Sequence, residues 1–190
     1  MFKISLILWI ACCFVLCTIA QAEQLATVED AIHQVFPNAT SLDRENICLS
    51  SEDVSQIEKE ANVSLKSNQF VQLVRIIVKK DGEPIGAAIE DVVQGRWGPI
   101  YFLMGIDSGG AVAGVVVLEY KENRGRPIAK ARFLRQYLGK TIADALRLRK
   151  DINGITGATV SSRALTDGVR KNLHILKMIS IRSAHSACTP

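Results

Sequence analysis

Histidine and cysteine are sparse in this chain of 190 residues. The three histidines, His33, His174 and His185, stand far apart, and the five cysteines include no Cys-x-x-Cys pair. Neither a clustered metal site nor covalent haem attachment therefore has the spacing it needs. No Gly-x-Ser-x-Gly elbow occurs, which removes a common serine-hydrolase signature. Proline is limited to five residues and there is no repeat or low-complexity tract, so collagen-like and disordered chains are excluded. An excess of one charge is missing too: 23 Lys+Arg face 19 Asp+Glu, a net +4, too even for a nucleic-acid footprint. What remains is the composition of one compact domain with a short accessory segment.

Long apolar runs are absent but for one. Met1-Phe2-Lys3 leads into Ile4–Ala20, broken only by Ser5 and Thr18, and Ala20-Gln21-Ala22 has the small-x-small form of a signal-peptidase site. Residues 1–22 read as a signal peptide, which places the mature chain in the periplasm or another extracytoplasmic space. The alternative is a retained membrane anchor, since residues 4–20 approach the minimum length of a span. Cys12, Cys13 and Cys17 lie in this segment, leaving Cys48 and Cys188 either as one disulfide or as two thiols.

Downstream, Thr27 with Asp30 resembles a capping box, and Val28, Ala31, Ile32, Val35 and Phe36 recur at helical spacing until Pro37. A second helix is expected from Ser51 to about Asn62, with Val54, Ile57 and Ala61 on one face. From Phe70 the pattern turns to β-branched runs between turn residues. Strands are expected over Phe70–Val78, Ile85–Val93, Pro99–Ile106 and Ala111–Glu119. A polar loop over Lys121–Pro127, a short helix over Ala129–Leu138 ended by Gly139, and a long helix from about Ser161 to Ile179 follow. The expected fold class is α+β, an antiparallel β-sheet with helices packed on one face. Its divisions are residues 1–22, the signal or anchor; 23–80, an N-terminal helical segment and first strand; 81–180, the main domain; and 181–190, a tail.

The chemistry concentrates in Asp151–Leu165, around Thr156-Gly157-Ala158-Thr159-Val160-Ser161-Ser162. Small residues let a ligand approach the backbone, three hydroxyls follow, and a helix begins whose unpaired amides and dipole favour an anion. A phosphate seat fits this pattern, as does simple helix capping by Thr159, Ser161 or Ser162. Arg163, Arg170 and Lys171 would keep the helix electropositive.

These residues resemble the Ser/Thr-Gly-Ala-Thr-x-Ser/Thr motif of the FMN-binding domain family. That family includes the flavin-carrying subunits of the sodium-pumping NADH:quinone reductase and of Rnf-type oxidoreductases. The similarity extends over roughly residues 84–175, through Gly98-Pro99-Ile100, a Gly105-Ile106-Asp107 turn, Val116–Glu119, Glu122-Asn123-Arg124-Gly125 and Phe133–Lys140. It implies the FMN-binding domain fold over residues 81–180. It also implies FMN held covalently, by a phosphoester to Thr159 made by a flavin transferase that uses FAD. Thr156, Gly157, Ala158, Ser161, Ser162, Glu122, Arg124 and Gly125 would surround the cofactor, with no bound metal. Two departures stand out. Asn153 occupies the position, six before Thr159, where the family usually has an acid, with Asp151 as a nearby substitute. Arg124 and Arg126 stand in the Glu122 loop, where they would favour the anionic reduced flavin. Trp97 and Tyr101 are candidates to stack on the ring.

The resemblance thus implies an exported electron carrier working between membrane or periplasmic redox proteins, with a quinol or haem donor and no nucleic acid. The alternative is a sensory or interaction module in which the flavin, or the empty fold, signals to a partner.

Overall fold

The computed structural model describes residues 23–65, 71–120 and 126–182. Their elements are β1 (Glu23–Gln24), α1 (Val28–Val35), β2 (Ser41–Leu49), α2 (Ser51–Ala61), β3 (Val71–Lys80), β4 (Glu83–Gln94), β5 (Pro99–Asp107) and β6 (Val112–Tyr120). Two 3-10 turns (Arg126–Ala129 and Arg135–Tyr137) flank the single helical turn α3 (Ala131–Leu134), and α4 (Thr159–Arg182) closes the domain. The strands make one antiparallel sheet in the order β1-β6-β5-β4-β3-β2. The expected four-strand meander is its centre, each strand within two residues of its expected bounds; Phe70 itself lies outside the described residues.

Two strands were not expected. β1 is only two residues long, pairing Glu23 with Tyr120 and Gln24 with Glu119. β2 carries Asp43, Arg44 and Glu45 in its middle and buries only Ile47 and Leu49 at its end, so its apolar alternation is too short to read as a strand. Cross-strand charge sets its outer part: Glu45 lies opposite Arg75 and pairs with it, and Lys79 pairs with Asp43. Charged edge strands of this kind also discourage edge-to-edge aggregation. Residues 23–80 and 81–180 consequently share one sheet through the β3–β4 pairing.

Helices pack on both faces of the sheet, not on one. Alternate residues of β5 divide between two cores. Ile100, Phe102, Met104 and Ile106 join Ile57 of α2 and Leu165, Val169, Leu173 and Leu176 of α4. Leu103 faces the other way, with Ala31, Ile32 and Phe36 of the α1 region. A strand buried on both faces reads as an unbroken apolar run, which is why its sequence does not reveal the second layer. Gly105 is correspondingly a strand residue, not part of a turn. A Cβ there would come within 2.7 Å of both Phe36 and Val35, and Gly86 and Gly114 are equally close to the same helix. The turn falls one step later, where the Asp107 carboxylate accepts the amides of Gly109 and Ala111, each at 2.9 Å.

The caps differ in detail from expectation. Thr27 accepts the amide of Asp30, but its hydroxyl donates to the Asp30 carboxylate instead of completing a box. The full reciprocal capping box is at Ser50 and Asp53, in front of α2. The expected helix over Ala129–Leu138 is broken into the two 3-10 turns and α3, and Gly139 leaves it with φ +72°. α4 begins two residues earlier than expected, so Thr159 is its first residue.

Candidate functional site

Residues 155–158 turn into α4 and set Thr159 at the surface. Gly157 adopts φ +82° with open space where a Cβ would stand, a conformation that costs glycine little. Ala158 is buried beneath the turn, whereas Thr156, Gly157, Thr159 and Val160 are exposed. The first recorded bond of α4 runs from the Ser162 amide to the Ala158 carbonyl, 2.9 Å. The amides of Thr159 and Val160 have no partner among the described residues. With no acidic residue in the first turn, this end of the helix presents free donors and the positive end of its dipole.

A small cavity of about 110 Å³ opens here, lined by Arg96, Trp97 and residues 157–161. Sites for molecules of flavin size are several times larger, roughly 300–1,000 Å³, so this cavity matches a phosphate and not a ring system. Arg96 stacks over Trp97 with its guanidinium carbon 5.3 Å from the ring centroid. Trp97 is 64% exposed, leaving an aromatic surface beside Thr159. The exposed hydroxyl, two free amides, an arginine and an open aromatic are a donor set that fits a phosphate ester with an aromatic group beyond it. Tyr101 is half-exposed at 37% on β5, outside the lining of this cavity.

The two serine hydroxyls of the motif face inward. Ser161 is buried and accepts the Arg96 amide at 3.4 Å, joining the β4–β5 turn to the helix. Ser162 is fully buried, accepts the amide of Ile155 at 3.2 Å and donates to the Ala158 carbonyl at 2.9 Å. Of the three hydroxyls that could have capped α4, Thr159 opens the helix and Ser162 latches the preceding turn to it. The latch extends further. Thr166 donates to the Ser162 carbonyl at 2.7 Å, so its hydroxyl is free only to accept, and Tyr137 donates to it at 2.9 Å. Burial pushes the Tyr137 phenol well above its usual range, with the Thr166 bond opposing and Asp167 adding to the rise. Gln136 clamps Asn153 from both sides, accepting its amide at 2.8 Å and donating to its carbonyl at 3.2 Å. Tyr137, Thr166 and Gln136 are positioning residues not singled out from the sequence; the Phe133–Lys140 similarity was a signal for Gln136 and Tyr137 alone.

Asp151 does not offer a carboxylate in place of an acid at Asn153. It accepts the amides of Leu146 and Arg147 at 2.9 and 2.8 Å and pairs with Lys140. Partial burial raises its pKa, but the two amides and Lys140 outweigh that and hold the carboxyl below its ordinary value. Asn153 is exposed. Arg170 is also not part of an electropositive surface. It is buried, and it donates to the carbonyls of Ala61, Asn62 and Leu146 and to the Asp167 carboxylate. Lys171 pairs with Asp91 at 2.7 Å. Arg163 remains exposed on α4. Glu122, Arg124 and Gly125 lie outside the described residues, as does the side chain of Arg126. Among the described residues no group of His, Cys, Asp or Glu is arranged to hold a metal, and no helix is long and apolar enough to cross a membrane; residues 1–22 lie outside them.

Comparison with known proteins bears on the same region. Residues 95–174 match the FMN-binding domain family. The chain is 25% identical over 199 residues to one component of the Na(+)-translocating ferredoxin:NAD(+) oxidoreductase complex of Acetobacterium woodii, an alignment covering 94% of this chain and 93% of the relative. It is 33% identical over 109 residues to the corresponding component of the ion-translocating oxidoreductase complex of Aliivibrio fischeri. That alignment covers 51% of this chain and 52% of the relative, so here the similarity spans about half of each protein. Among solved structures, NqrC of Shewanella oneidensis shares the fold, with TM-score 0.51 and 17% identity over 82% of this chain and 91% of that one.

Proposed function

We propose that this chain, whose residues 95–174 match the FMN-binding domain family, is an exported flavoprotein that carries FMN on Thr159 through a phosphoester and relays electrons between redox partners. The observation that carries the proposal is the placement of Thr159, exposed at the first turn of α4 within the Thr156–Ser162 motif. Bound there, FMN would supply a centre that takes up and releases one or two electrons. The chain's own tasks are then to hold and orient. The free amides of Thr159 and Val160 and the Arg96 guanidinium would offset the charge of the phosphate. Ser161 and Ser162 would keep the turn rigid from beneath, and Trp97 would supply a stacking surface. The loop with Glu122, Arg124 and Gly125 would complete the ring site.

The partners follow from the relatives. Both are named as parts of oxidoreductase complexes that translocate ions, which supports another redox protein of such a complex as donor or acceptor; a quinol or haem on that partner is what the sequence resemblance adds. The apolar segment 4–20 followed by Ala20-Gln21-Ala22 supports export or anchoring, and a covalent tether suits an extracytoplasmic carrier, which would lose a dissociating cofactor by dilution. Loading requires a flavin transferase with FAD as flavin donor.

The test is co-expression with such a transferase, followed by in-gel fluorescence after denaturation and a reductive titration of the purified protein. Fluorescence that survives denaturation, with a flavin absorbance that bleaches reversibly, is expected. A protein that stays colourless under these conditions contradicts the proposal.

A further inference from the structure

A second surface, independent of the flavin reading, lies along the outer edge of β6. Among the described residues β1 covers only Glu119 and Tyr120 of that edge. Leu25 and Ala26 close it at Leu118, and Gly139 and Lys140 close it at Val112. Between these ends runs a groove of about 660 Å³, lined in part by Leu25, Val116, Lys130, Leu134, Arg135 and Leu138. Two large aliphatic side chains stand open at it, Leu25 at 41% and Leu138 at 48% exposure. Lys130, Arg132 and Arg135 are exposed on the same short segment. Among the described residues none of the three has an ion pair, whereas Arg44, Arg75, Lys79 and Lys140 all pair with carboxylates. The exposed acids of α1 are engaged: Glu29 by Arg44 and Asp30 by Thr27.

We propose that this face docks on anionic phospholipid, with Lys130, Arg132 and Arg135 meeting the headgroup phosphates and Leu25 and Leu138 entering the interface. Three cations without counter-charges among the described residues, set around exposed aliphatics, form the pattern of an interfacial contact. Chain geometry agrees. The apolar run ends at Ala20, three residues before Glu23, and Glu23 pairs with Tyr120 at the end of this edge. If retained, segment 1–22 therefore joins the domain beside the face; if it is cleaved, the new N-terminus stands there. The stretch that carries the three cations is hydrogen-bonded to the site through Tyr137 and Gln136, so docking fixes where the α4 N-terminus stands relative to the membrane.

Hydrogen–deuterium exchange of the full chain tests this, titrated with vesicles of phosphatidylcholine alone or mixed with phosphatidylglycerol. Peptides covering residues 129–139 should be slowed by the anionic vesicles and not by the neutral ones, while β2 on the far edge is unchanged. At ~1 kcal/mol for each cation, the anionic vesicles should bind roughly a hundredfold more tightly. The Lys130→Glu/Arg132→Glu/Arg135→Glu variant should abolish the difference, its fold checked by intact β2 protection. Should it not fold, Lys130→Gln and Arg132→Gln should each weaken binding about fivefold. Equal protection by both vesicles, protection kept in the charge variants, or protection conferred only by a partner protein would overturn the proposal.

Discussion

Replacing Ser162 with alanine separates the scaffold of the site from its chemistry. The hydroxyl accepts the Ile155 amide and donates to the Ala158 carbonyl, but the two losses differ in weight. The Ala158 carbonyl keeps the Ser162 amide at 2.9 Å and stays satisfied. The Ile155 amide loses its recorded acceptor, and a buried donor left unpaired costs about 1–3 kcal/mol. Ile155 is only partly buried, so water can relieve some of this, and a loss of about 1.5 kcal/mol is expected. For a domain of this size that corresponds to a fall in Tm of roughly 3–6 °C. Urea denaturation read by circular dichroism measures it, with Thr159→Val as the control. Thr159 is exposed and makes no recorded side-chain bond, so its replacement should stay within about 0.5 kcal/mol of wild type. If Ser162→Ala matched wild type while Thr159→Val were destabilised, the division of labour within the motif would be refuted.

Arg170→Met should be more damaging, since it strips the carbonyls of Ala61 and Leu146 of a buried cation; about 3 kcal/mol, read by the same denaturation, is expected, and Arg170→Lys should recover little because one ammonium cannot reproduce the planar fork. Acid should weaken the fold through Asp144 and Asp151, whose native pKa values lie below 3.8. Their contribution is full above the unfolded value and is lost as pH falls through the native one, so Asp151→Asn should flatten the acid limb of a Tm–pH profile. Lys140 has the opposite sign: its pKa is raised above 10.5, first by the Asp144 hydrogen bond, and its contribution is lost as pH rises through the native value. Cys48 is disulfide-bonded, and reduction should cost about 2–4 kcal/mol, read by denaturation with and without a thiol reductant.

What the sequence disclosed follows from where the stabilising forces act. The meander β3–β6 was legible because burial imprints apolar runs between turn residues, and Thr159 was legible because a contiguous motif surrounds it. β2 was not, since only Ile47 and Leu49 at its end are buried, while Glu45 and Asp43 meet Arg75 and Lys79 across the sheet, a pairing visible only after the chain folds. The second helical layer was hidden for a related reason: the amphipathic face of α1 shows that it must be covered, but not by which side of the sheet. Around the site, Tyr137 and Gln136 reach Thr166 and Asn153 across 29 and 17 residues, beyond any local pattern. Arg170 read as a cation keeping the helix electropositive, yet it lies one step from the buried stripe of Val169 and Leu173, with Asp167 one turn before it to share the cation.

The central claim is that Thr159 carries the flavin, and intact mass with peptide mapping of the exported chain, produced alongside a flavin transferase, tests it most directly. An increment of about 440 Da for an FMN phosphoryl group, mapped to the peptide containing Thr159 and missing from a folded Thr159→Val variant, is the predicted result. An unmodified wild-type chain, or an increment that the variant retains, would contradict it.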